Sequence, residues 1–102
     1  MVELEQTSML LIVHGGNARS LAYEAFELAM AGDFAGAAAK LKEASAEIGR
    51  AHALQTSLIQ NEAAGNCVPP NLLLIHSQDH LMTAMAEINL IERLIRVLEV
   101  RR

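Results

Sequence analysis

Several residue types are scarce in this sequence, and each scarcity excludes something. There is no tryptophan, and aromatic residues make up only 3% of the chain. The single basic cluster is Arg101–Arg102, and the net charge is −4. A nucleic-acid surface would need stacking platforms and grouped Lys and Arg, so that class is disfavoured. The lone cysteine, Cys67, cannot close an internal disulfide, which suits a reducing cytosol. Glu3 and Glu5 interrupt the amino end where the basic segment of a secretory signal would lie. No apolar run is long enough to cross a bilayer. The expectation is a soluble, cytoplasmic protein.

What remains is a chain of 102 residues, 52% of them hydrophobic, with its bulk supplied by Leu, Ile, Met and Ala. That fits one domain, residues 1–102, with one core. Proline occurs only at Pro69 and Pro70, and β-branched runs are nearly absent, so the composition reads as all-α. Three long helices are predicted. The first covers about Glu5 to Met30, with Met9, Ile12, Val13, Leu21, Ala25, Leu28 and Ala29 at helical spacing. Gly15–Gly16 falls inside it and costs ~1 kcal/mol per glycine relative to alanine. Either the helix kinks there or another backbone comes close. Gly32 suits a left-handed helix end, and Asp33 can cap the next helix.

The second helix runs from about Phe34 into "LIQNEAAGN", Leu58 to Asn66. Phe34, Ala38, Leu41, Ser45, Ile48, His52, Gln55 and Ile59 trace its expected packing stripe. Gly65–Asn66 and Pro69–Pro70 mark a loop. The third helix covers about Asn71 to Val100. It is apolar on two sides: Leu72, Thr83, Ala86 and Leu90 on one, and Leu74, Leu81, Met85 and Ile88 on another. One small core cannot cover both, so self-association through this helix follows, with Ala84 and Ala86 allowing close approach.

The segment "HSQDHLM" places His76, Asp79 and His80 at i, i+3 and i+4, on one helical face, with Thr83 a turn later. Three chemistries fit. A hydrogen-bonded polar patch could fix helix register. A metal could be held by His-x-x-x-His with Asp79 as third ligand, although Ser77 stands where a zinc protease carries its glutamate base. A neutral imidazole could attack phosphorus to form a phosphohistidine, with Gln78, His80 and Thr83 donating to the phosphoryl oxygens. Spacing alone does not choose among them. Elsewhere, His52, Gln55 and Thr56 share a face and could bond one another or a neighbouring helix. Arg19 suits an anion or, more simply, a surface pair with Glu24 or Glu27.

The runs "HSQDHLMTAM", "GNARSLAYEA", "GDFAGAAAKL" and "AHALQTSLIQNEA" together resemble, in the same order, the enzyme IIA proteins of the lactose/cellobiose class of the bacterial sugar phosphotransferase system. The likeness spans almost the whole chain. It implies an antiparallel bundle of three helices that assembles as a homotrimer. It implies a phosphocarrier that takes a phosphoryl group from HPr and passes it to a cysteine of enzyme IIB, which serves the membrane enzyme IIC. The imported sugar would be a β-linked disaccharide such as cellobiose, chitobiose or lactose. By motif position, His76 is the phosphoacceptor and Gln78 and His80 are supporting neighbours. Asp79 matches an aspartate that gathers at the trimer axis around a divalent cation, with Mg2+ expected as a structural ion. His14 and the two glycines after it depart from what such a segment needs; His14 could approach the site if the first helix kinks. Cys67 is read as incidental. The rival reading is a metal-stabilised helical scaffold with this fold but no phosphotransfer.

Overall fold

The computed structural model describes residues 2–66 and 69–101, which form α1 (Val2–Met30), α2 (Phe34–Ala63) and α3 (Leu72–Arg101). Among the described residues there is no strand. Cys67 lies outside them. The helix ends follow from local chemistry. Gly32, at φ 89°, donates to the Ala29 carbonyl at 3.0 Å, and Asp33 N–H reaches the Leu28 carbonyl at 2.9 Å. This closing turn needs a left-handed residue, which glycine supplies without steric cost. The Asp33 carboxylate then accepts from Gly36 N–H at 2.9 Å and starts α2. Asn71 starts α3 the same way, accepting from Leu74 N–H at 2.8 Å.

The helices run alternately up and down in a bundle measuring 52 × 20 × 19 Å. The expected all-α antiparallel three-helix architecture is the one observed. On α1, Ser8, Leu11, Gly15, Ala18, Ala22, Ala25 and Ala29 are buried, in alternating steps of three and four. On α3, Ser77, Leu81, Ala84, Ile88, Ile91 and Ile95 follow the same rhythm. This is the seam spacing of helices packed at a shallow crossing angle. Its small residues let α1 lie close to both partners, whereas α2 and α3 touch each other little.

That geometry corrects three expectations. The buried seam of α2 is Ala37, Ala44, Ala51 and Gln55, one residue away from much of the expected stripe. Ala38, Ser45, His52 and Ile59 are exposed. With Phe34, Leu41 and Ile48, the first three line a groove between α2 and α3 that contains cavities of about 380 and 280 Å³. Alanine is small enough to serve either face, so periodicity could not place the seam. On α1, Met9 and Val13 are about half exposed rather than core. Finally, Ala84 is buried in the chain's own core and is not available for self-association. The other apolar side of α3 is uncovered, as the pattern required: Leu72 is 82% exposed and Leu90 is 60% exposed.

Candidate functional site on the third helix

The site is built where α1 lies against the N-terminal half of α3. His76 and Asp79 are exposed, and His80 is half-buried. The two imidazoles are neighbours, with ring centroids 5.7 Å apart and planes inclined by 75°. His80 is tucked beneath the glycine pair. A Cβ placed on Gly15 would lie 3.5 Å from His80 Nδ1 and 3.7 Å from the Leu81 Cα; one on Gly16 would lie 3.7 Å from His80 Cε1. Of the two explanations for Gly15–Gly16, close approach is therefore the observed one, and α1 is helical throughout. His80 Nδ1 is buried without a hydrogen-bond partner. Burial pushes the His80 pKa down, the Arg19 and His76 charges push it further, and Glu87 opposes them. Its ring is accordingly biased toward the neutral form, one N–H donor and one acceptor.

Arg19 does not pair along its own helix. Glu24 and Glu27 are five and eight residues away, off the i+3 and i+4 positions that face it. Glu24 instead meets Lys40 at 3.0 Å. The Arg19 guanidinium crosses to α3, donating from Nη2 to Thr83 Oγ1 at 2.7 Å and pairing through Nε with Glu87 Oε1 at 3.1 Å. The Nε–H is not aimed well enough at that oxygen to count as a hydrogen bond. Tyr23 O–H donates to the other Glu87 oxygen at 2.7 Å. Thr83 in turn donates to the Asp79 carbonyl at 2.8 Å and leans on that of His80 at 3.2 Å. The sequence had marked Arg19 and Thr83 separately; Glu87 was missed because a glutamate on an amphipathic helix carries no signal of its own.

The remaining sequence-marked residues separate from this cluster. Gln78 is two positions from His76, so it points to the opposite side of α3. There its Oε1 accepts from Gln55 Nε2 at 2.6 Å. Within one chain Gln78 is therefore not placed to support a group on His76. His14 faces α2, where Nδ1 lies 2.6 Å from Glu47 Oε2, and it does not join the site. His52 is exposed along the α2–α3 groove. Among the described residues, no three His, Cys, Asp or Glu side chains converge as a metal site. The single-chain zinc reading thus lacks its ligand set.

An exposed imidazole beside a half-buried one, on the outside of a helix, is an arrangement that a second protein can reach. The sequence profile described as "PTS system, Lactose/Cellobiose specific IIA subunit" matches residues 6–99. The chain belongs to this IIA family. It is a phosphotransferase component, a phosphocarrier of the sugar phosphotransferase system. The lichenan-specific phosphotransferase enzyme IIA component of Bacillus subtilis is 45% identical over 97 residues, which cover 95% of this chain and 88% of that one. The crystal structure of the cellobiose-specific enzyme IIA from Bacillus anthracis superimposes with a TM-score of 0.93 at 41% identity, covering 97% of this chain and 91% of the other. A solution structure of the Escherichia coli IIA(chitobiose)–HPr complex gives a TM-score of 0.82 at 43% identity, covering 94% and 93%. Among the described residues, no helix is long and apolar enough to cross a membrane.

Proposed function

We propose that this IIA protein accepts a phosphoryl group on His76 from the phosphohistidine of HPr and hands it to a cysteine of its cognate enzyme IIB. In the first step a His76 ring nitrogen attacks phosphorus, a P–N bond forms, and the donor's P–N bond breaks. In the second, a thiolate attacks the same phosphorus and His76 leaves as neutral imidazole. The observation that carries this reading is the exposed His76 ring set against the half-buried ring of His80. The similarity to a IIA protein solved in complex with HPr supports the donor. His80 supports the phosphoryl group as hydrogen-bond donor; Gln78 would reach it only from a neighbouring copy. The protein works in the cytoplasm beside membrane enzyme IIC, and the sugar is a β-linked disaccharide, in keeping with the cellobiose and chitobiose names of its relatives.

The working form in this proposal is a homotrimer built on the outer face of α3. That face carries exposed Leu72, Ile75, Met82, Leu90, Leu94 and Val97, more apolar surface than a lone bundle leaves in water. Asp79 sits among them, exposed and without a side-chain partner among the described residues. One carboxylate is a hard oxygen donor suited to Mg2+ but is not a site by itself. Three copies of Asp79 around an axis would hold the cation, which would neutralise their mutual repulsion and serve assembly rather than chemistry.

The test is to incubate the protein with phosphoenolpyruvate, enzyme I and HPr and to record intact mass beside a His76→Ala control. A gain of one phosphoryl group in the wild type alone supports the carrier role and its acceptor. No gain, with active donors and a folded protein, favours a scaffold with this fold.

A further inference from the structure

The contacts around Arg19 and Gly15 tie α1 to the helix that carries the acceptor, and the transfer described above makes no use of them. Gly15, Gly16 and Arg19 lie on one side of α1. They face His80, Thr83 and Glu87, which stand at i, i+3 and i+7 on one side of α3. Gly15 forms the back wall of the His80 ring, 3.5 Å from Nδ1 to where a Cβ would stand. Arg19 is joined to the same residue through Thr83, whose hydroxyl takes the Arg19 N–H and contacts the Asp79 and His80 carbonyls. Glu87 steadies the guanidinium from the other side, itself held by Tyr23.

We propose that Gly15 and Arg19 are positioning residues for phosphoryl transfer at His76: α1 sets the depth and orientation of the His80 ring, and His80 alone conveys that setting to the phosphoryl group. This inference rests on the reading that His76 is the acceptor. The physical reason is enclosure. An imidazole on an open helix face samples several staggered rotamers. With Nδ1 enclosed by α1, the ring has lost the space behind it, and Nε2 is the nitrogen left for a group outside the bundle. A donor already in place need not be ordered during the transfer, which is where preorganised groups act. A methyl at Gly15 would stand at ordinary contact distance, whereas a longer side chain would have to move the ring or part the helices.

The experiment compares the wild type, Gly15→Ala, Gly15→Leu, Arg19→Gln and Arg19→Lys, each also in a His80→Ala background. Phosphoryl uptake from phospho-HPr is followed by intact mass across donor concentrations, with thermal melts alongside. Gly15→Leu and Arg19→Gln should slow uptake at saturating donor by roughly tenfold, the scale of one positioned hydrogen bond. The donor concentration for half-maximal rate should change little. Gly15→Ala should lose less than Gly15→Leu, and Arg19→Lys should recover part of the rate. In the His80→Ala background, neither Gly15→Leu nor Arg19→Gln should cause a further loss. Losses of equal size in both backgrounds, tracking the melting temperature, would mean a purely structural role and overturn the proposal. Unchanged rates in folded variants would overturn it as well. If Gly15→Leu does not fold, the Arg19 pair decides alone. Absence of uptake by the wild type, with donors active, would instead remove the acceptor assignment on which the inference stands.

Discussion

Two leucines nine residues apart on α3 should respond to truncation in different ways. Leu81 is 0% exposed and packs with Leu11 and Ala51, flanked by Leu54, Leu58 and Met85. Leu81→Ala removes apolar atoms from a site whose neighbours are themselves helix-bound and cannot collapse freely. The cost should fall at ~3–5 kcal/mol, a lost transfer term plus a cavity term. For a domain of this size each kcal/mol shifts the melting temperature by ~4–8 °C, so a fall of more than ~10 °C is expected. Leu90 is 60% exposed. Leu90→Ala should cost the isolated bundle less than ~0.5 kcal/mol. If α3 associates with copies of itself, however, Leu90→Ala should weaken assembly, so its melting temperature should drop most at low protein concentration. Circular dichroism melts of both variants over a hundredfold concentration range separate these effects. A Leu81→Ala loss under ~1 kcal/mol would refute the packing described for the core. A Leu90→Ala shift independent of concentration would refute the role given to the outer face.

Other outcomes follow from the site. Asp79→Leu should keep or strengthen the trimer, because apolar packing can replace a buried charged cluster without loss; a wholly monomeric variant by light scattering would reject this. Chelation should disturb assembly more than phosphoryl uptake, as read by sedimentation and intact mass on the same sample. The pKa of His80 is lowered in the fold, so the unfolded chain binds a proton more readily. Stability from this group is present above the unfolded value of about 6.5 and declines as pH falls toward the folded value. Acid-side melts of wild type and His80→Gln should show the variant losing less. His14→Gln should leave phosphoryl uptake intact, since His14 bonds Glu47 on α2; complete loss of uptake would reassign the acceptor.

The helix ends were legible because they depend on neighbours in the chain: Gly32, Asp33 and Asn71 act on groups within a few residues. The motif around His76 was legible for the same reason, since i, i+3 and i+4 fix a shared face on any helix. The outward apolar side of α3 was legible as an excess, more apolar surface than one bundle can bury. The seam of α2 was not, because alanines on adjacent faces give periodicity nothing to distinguish.

By itself, then, the sequence determined three capped helices, a histidine pair on one face, and a helix too apolar to stand alone. Only tertiary packing decided which glycine would meet which imidazole and which glutamate would meet Arg19. Gly15 against His80 and Arg19 against Thr83 and Glu87 are separated by more than sixty residues. No local rule reaches that far: such contacts depend on the register in which two seams of small residues settle against each other. Packing also brought Gln55 of α2 to Gln78, whereas the turn of Gln78 away from His76 was already set by their two-residue spacing on one helix.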